Sequence, residues 1–113
     1  MSISKDLVAA SASPMILSIL SEGPNYGYAI IKRVHEISSG QLQWADGMLY
    51  PVLHRLEDQG LIKSKWDVSS EGRKRKYYQI KKKGTETLKS QKAQWKVVYS
   101  ALNQLWENKP CLT

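Results

Sequence analysis

Cysteine is all but missing from this chain. Cys111 is the only one and stands near the C-terminus, so no intrachain disulfide can form, which suits a reducing compartment. Long apolar runs are missing too, since none reaches the ~18 residues that a membrane-spanning helix needs. No basic stretch at the N-terminus leads into an apolar core and a small-residue cleavage site. The expectation is a cytoplasmic protein with no membrane partner. Acidic residues are scarce, 10 against 17 Lys and Arg, giving a net charge of +7 and a pI of about 9.6. That balance favours polyanionic partners. Catalytic signatures are missing as well: no phosphate-binding glycine loop, no dinucleotide fingerprint, no zinc-ligand spacing, no Ser or Cys nucleophile beside a His and an acid. His35 and His54 stand far apart without further donors. Neither an enzyme, nor a metal site, nor a cofactor is expected.

What is present is organised around residues 46–62. Asp46 reads as a helix N-cap. Leu49, Val52, Leu53 and Leu56 recur at three- and four-residue spacing and form one apolar stripe. Gly60 stands where a left-handed residue would end the helix. The opposite face carries Tyr50, His54, Arg55 and Gln59, all able to reach a phosphate or a base edge, which fits a DNA recognition helix. Upstream, Ser13-Pro14 reads as an N-cap with proline at the first helical position. Either a helix starts there or a longer one from about Lys5 is kinked at Pro14. Asn25 reads as the cap of a second helix running to about Ser38, with Tyr28, Ile31, Val34 and His35 turned inward; residues 41–44 read as a short strand.

Downstream, strands at residues 61–67 and 73–80 flank a polar loop and make a β-hairpin. The second carries Arg73-Lys74-Arg75-Lys76 ahead of Tyr77-Tyr78. Strand alternation puts Lys74, Lys76 and Tyr78 on one face and Arg73, Arg75 and Tyr77 on the other, so about half of these groups would meet DNA. Trp44 and Trp66 are assigned to packing or to the structure of the wing. Three helices followed by a basic hairpin is the order of a winged helix-turn-helix. After Gly84 the chain has no glycine or proline as far as Glu107 and reads as one long helix. Within it Leu88, Trp95 and Leu102 share one heptad position, Val98 and Leu105 another, and Tyr99 and Trp106 flank them. That seam calls for a partner chain, and a second copy is the economical one because a two-fold protein matches a pseudo-palindromic operator. Lys81, Lys82 and Lys83 open this helix at its unfavourable end for cations, where either a polyanion or solvent would relieve them.

The expected fold is mainly α with a small β-hairpin. Residues 1–80 form a winged helix-turn-helix with an N-terminal helix, 81–108 a dimerisation helix, and 109–113 a tail. The DNA-binding candidates are Gly47, Met48, Tyr50, His54, Arg55, Arg73, Lys74, Lys76 and Tyr77. The dimer candidates are Leu88, Trp95, Val98, Leu102, Leu105 and Trp106.

Gly27-Tyr28 with Ile30-Ile31-Lys32, the run from Gly47 to Glu57, Gly60-Leu61-Ile62, and Gly72 to Tyr78 together resemble the PadR family of bacterial transcriptional regulators. The motifs follow in order over roughly residues 14–84. The short form with one C-terminal helix is similar to the subgroup containing the lactococcal multidrug-binding repressor. That resemblance implies a dimer joined through the first and last helices, and flat aromatic effectors seated between paired tryptophans at Trp95. It also implies a cavity lined by Leu7, Ala10, Pro14, Ser18, Leu88, Gln91 and Tyr99. Two positions depart from the subgroup: Tyr99 replaces an acidic residue, which argues against a preference for cationic drugs, and Lys92 replaces an aromatic one. The function expected is a homodimeric, ligand-responsive repressor; the competing reading is a non-specific nucleic-acid-binding or architectural protein.

Overall fold

The computed structural model describes residues 1–107, so Cys111 and the tail at 109–113 lie outside the described residues, as does the last residue of the helix expected to 108. Four helices and a three-stranded sheet follow one another as α1 (Lys5–Ser21), β1 (Asn25–Tyr26), α2 (Gly27–Ile37), α3 (Asp46–Asp58), β2 (Ile62–Val68), β3 (Lys74–Ile80) and α4 (Lys82–Glu107). The sheet is antiparallel in the order β1-β3-β2. A two-residue strand therefore joins the expected hairpin.

The longer of the two alternatives for α1 is the one found, with Pro14 inside an unbroken helix. Ser4 supplies the cap, its hydroxyl accepting from the Leu7 N–H at 3.2 Å, so Ser13 caps nothing. Ala12, Ile16, Leu17, Ile19 and Leu20 are buried. They meet Ile30 and Val34 of α2, Leu49, Leu53 and Leu56 of α3, Leu61 and Ile62, Tyr78 and Leu88 in one core.

Two caps differ from expectation. Asn25 belongs to β1, and α2 begins two residues later, after Tyr26, with no side-chain cap. Sheet pairing of Asn25 with Tyr78 and Tyr26 with Tyr77 outweighs the local capping preference. Starting at Gly27, the buried stripe becomes Gly27, Ile30 and Val34, and Ile31 is half-buried. Tyr28 falls about 100° from that stripe and is 68% exposed, while His35 also faces outward. Asp46 is the first helical residue of α3 rather than its cap. Ala45 takes that place without a side-chain bond, and the Asp46 carboxylate still complements the helix dipole.

Residues 41–44 form no strand, although Trp44 is buried as packing. Ser39 and Gly40 turn the backbone there, and the Leu42 N–H is held by the Ser38 hydroxyl at 2.9 Å instead of by a strand partner. Gly60 does end α3 in a left-handed conformation, φ +76°. Its N–H reaches the Glu57 carbonyl and that of Leu61 the Leu56 carbonyl, both at 3.0 Å, the paired closure of a Schellman motif.

Candidate nucleic-acid interface

Around the axis of α3, at 100° per residue, Leu49, Leu53 and Leu56 face the core. Gly47, Pro51, His54, Arg55 and Asp58 are exposed on the opposite side. Pro51 was not among the sequence candidates, yet it stands in the middle of that outer face. Met48 and Tyr50 occupy the two flanks, both half-buried against the core. Tyr50 leans toward α2, its hydroxyl packed so closely against Gly27 that a Cβ there would overlap the ring. Met48 and Arg55 lie on the other flank, sharing a groove with Lys5 and Val8 of α1. The structure thus divides the helix candidates between two sides.

The hairpin places its cations by register. Lys76 lies opposite Trp66 and Lys74 opposite Val68, on the face that continues outward from Tyr78. Arg75 is on the other face, its guanidinium 4.3 Å from the centre of the Tyr26 ring, and Tyr77 meets the same ring edge-on at 5.5 Å. Tyr77 opens onto a separate concavity with Pro24, Lys63 and Lys65, so it does not join Tyr50 and Lys76. The loop is closed by the Ser69 N–H on the Arg73 carbonyl at 2.8 Å and by Gly72 at φ +80°.

Between the start of α2, Tyr50 and the hairpin lies a cleft of about 440 Å³ that gathers Tyr28, Tyr50 and Trp66 with Arg73, Lys74, Arg75 and Lys76. None of the residues lining it is acidic. The N-terminus of α2 adds its partial positive charge, so the cleft can hold backbone phosphates. Arg75 joins the cleft although it was not among the candidates, and Tyr28 and Trp66, 68% and 60% exposed, are the aromatic residues that sequence reasoning missed. No local signal marked them, because Ile31 is spaced for Tyr28 on α2 and Val68 for Trp66 on β2, which made both read as packing. Tyr78, by contrast, is buried with an unpartnered hydroxyl. Burial, reinforced by the nearby Tyr50 and Glu57, pushes its phenol up to about 12.

A second, mostly apolar groove of about 390 Å³ runs between α1, α2 and α4. It brings together four of the cavity candidates, Pro14, Ser18, Leu88 and Trp95, and adds Ile37 and Lys92. Leu7, Ala10, Gln91 and Tyr99 do not line it. Leu7 is exposed, Tyr99 lies one turn further along α4, and Gln91 donates to the Ser13 hydroxyl at 3.1 Å. Glu22 and Arg33 close one end through an ion pair at 2.9 Å, and Arg33 holds the Glu22 carboxyl below its usual range. Trp95 is itself 37% exposed, and beyond this groove α4 carries Val97, Val98, Tyr99, Leu102, Leu105 and Trp106 exposed. Leu88 differs from its heptad mates, being covered within one chain. Lys83 turns back to donate to the Gln59 carbonyl at the end of α3, at 3.1 Å, which relieves part of the charge at the head of α4.

Among the described residues no helix is long and apolar enough to cross a membrane. The model of the Transcriptional regulator PadR-like family matches residues 16–90. A PadR-like transcriptional regulator of Bacillus cereus superposes with a TM-score of 0.83 at 30% identity, covering 93% of this chain and 100% of that one. A PadR family transcriptional regulator of Eggerthella lenta gives 0.77 at 34% identity, over 92% of this chain and 88% of its own. A protein of Lysinibacillus sphaericus is 28% identical over 105 residues, 93% of this chain and 96% of that protein.

Proposed function

This chain belongs to the PadR-like family of transcriptional regulators, and from that premise we propose that it is a homodimeric repressor released from its operator by flat aromatic molecules bound where two copies meet. Membership makes it a DNA-binding regulator and not an enzyme. The finer reading rests on one observation: the distal half of α4 is bare. Leu105 and Trp106 are each 72% exposed and Val98 49%, on a seam of heptad spacing. A helix so apolar on its outer face is stable in water only against another apolar surface. In this reading residues 1–80 hold DNA, 81–108 hold the partner, and the tail at 109–113 does neither.

On the DNA side, the outer face of α3 with Gly47, His54 and Arg55 enters the major groove, and Tyr50, Lys74 and Lys76 meet the flanking backbone. Arg73 also lines that cleft, whereas Tyr77 reaches only backbone approaching from the other face. On the effector side, Pro14, Ser18, Leu88 and Trp95 form the floor of the groove. Leu7, Ala10, Gln91 and Tyr99 close it only once a partner helix is present. Such a molecule acts by binding better to the arrangement that does not fit the operator. Its volume is in the range of small-molecule sites. The regulated gene on this reading serves transport or stress, and the protein works in the cytoplasm.

The test is a titration of the protein–operator complex with a flat hydrophobic dye, following Trp fluorescence and DNA release together. Saturable quenching that is lost in Trp95→Phe, with release over the same dye range, is expected. Release without Trp95 involvement, or quenching without release, overturns the effector reading. A mass equal to one chain at micromolar concentration overturns the dimer.

A further inference from the structure

Trp66 is an indole left 60% exposed. It projects from β2 on the face of the hairpin that bears Lys74 and Lys76, and with Val68 beside it makes an apolar strip that is 60% and 63% exposed. The Lys74 ammonium stands 5.5 Å from the centre of the indole ring. Lys76, directly opposite Trp66 in register, leans to the other side, its ammonium 5.7 Å from the Tyr78 ring. The acid next in sequence, Asp67, faces the other way and is engaged with the Val68 N–H at 2.8 Å. One flat apolar plate thus has a cation on each side, and the hairpin itself contributes no carboxylate to that face.

Packing does not account for this arrangement. The core face of the hairpin is filled by Ile62 and Tyr78, and Trp66 lies beyond them. A solvated charge run does not account for it either, because an exposed Trp and Val are unfavourable in water and add nothing to solubility. A duplex edge satisfies each part. Its minor groove is about 6 Å wide between two rows of phosphates, with an apolar sugar lining and base steps that accept flat side chains.

We propose that Trp66 is the residue with which the hairpin reads DNA. The indole enters the minor groove beside the site of α3, and Lys74 and Lys76 meet the phosphates on either side. Insertion of a flat side chain opens a base step, and flexible pyrimidine–purine steps open most easily. The hairpin therefore selects sequence by deformability, at positions flanking those read by α3. This rests on the DNA-binding reading and does not depend on dimerisation or on an effector.

The experiment is selection from random duplex DNA by wild type, Trp66→Ala and Lys76→Ala, at about 150 mM salt, followed by a salt series on the selected duplex. Wild type is expected to enrich a half-site together with a pyrimidine–purine step beside it. Trp66→Ala should keep the half-site, lose the flanking preference and bind roughly tenfold more weakly. Its salt dependence should be unchanged, because no charge is removed. Lys76→Ala should do the reverse: the flanking preference stays, and the log–log salt slope falls by about 0.9. If Trp66→Ala also flattens the slope, the strand has been lost with the ring. Trp66→Thr, a strand-favouring residue without a ring, then takes its place under the same criteria. Enrichment of half-sites with no flanking preference, or a preference that survives removal of the indole, overturns the role of Trp66 and leaves DNA binding standing. A wild-type chain that enriches no sequence overturns sequence-selective regulation itself, and this inference with it.

Discussion

The hydroxyl of Tyr50 lies so close to Gly27 that a Cβ there would overlap it. Any side chain at position 27 must displace the ring or the start of α2, so Gly27→Ala is expected to cost about 1–3 kcal/mol in urea unfolding. A loss below 0.5 kcal/mol, on the order of an ordinary surface change, would mean that the joint is looser than it looks. The same contact makes Tyr50→Ala a poor probe of DNA binding, because it removes packing too. Tyr50→Phe keeps the ring and should weaken operator binding by about 1 kcal/mol with the mass of the particle unchanged. Unaltered affinity would take the Tyr50 hydroxyl off the interface. Tyr78 permits a test of opposite sign. Its hydroxyl is buried without a partner, so Tyr78→Phe should be neutral or stabilising in a thermal melt. In the wild type the folded phenol titrates at about 12 and the unfolded one near 10.0. The folded state therefore holds the proton longer, and stability falls as pH rises between those values. The Tyr78→Phe chain should lack that alkaline component. An identical pH profile for the two chains would refute the burial argument.

The elements differ in how far their own residues dictate them. The end of α3 was legible because Gly60 and the carbonyls it closes on lie within five residues. The hairpin and the long α4 were equally plain, from alternation and from the absence of breakers. β1 was not, because two residues become a strand only when Tyr77 and Tyr78 pass alongside, some fifty positions later. Asn25 and Asp46 are good caps by local chemistry, yet neither stands at the cap: sheet pairing takes Asn25 into β1, and α3 begins at Asp46 itself, after Ala45. The candidate site was half legible for a related reason. Side-chain type marked the cations, but which of them share a face with Tyr50, and that Trp66 stands bare among them, depends on how the hairpin docks. At the head of α4, Gly84 lies against the Leu61 carbonyl and Ile80 with no space for a Cβ. The Lys81 N–H donates to that same carbonyl at 2.9 Å. Gly84→Ala is expected to lower the urea midpoint by an amount corresponding to about 1–3 kcal/mol, leaving the helix content intact by circular dichroism. A variant as stable as wild type would show that α4 can shift without penalty.

The whole molecule measures 65 × 31 × 22 Å, and its longest element is α4, 26 residues or about 39 Å. Leu102 and Leu105 lie far from every DNA candidate, so Leu102→Glu together with Leu105→Glu should yield a folded single chain. Binding of that chain to a two-half-site duplex should fall by two orders of magnitude or more, the expected loss when linked sites act alone. A double variant that still sediments as two chains would place the seam elsewhere. α3 and α4 do not move freely of each other: Lys83 ties the head of α4 to the last carbonyl of α3, and Gly84 lies flush on the strand between them. In a pair joined at the distal seam, each α4 is consequently a rigid lever with a reading helix at its tip. Tilting such a lever by about 5° swings the tip by roughly 3 Å, over the 39 Å arm that 26 residues provide. Successive half-sites repeat at about 34 Å, and two tips moving in opposite senses leave that pitch by more than a base-pair step. In such a pair, a change of angle alone would throw the two readers out of phase with the duplex.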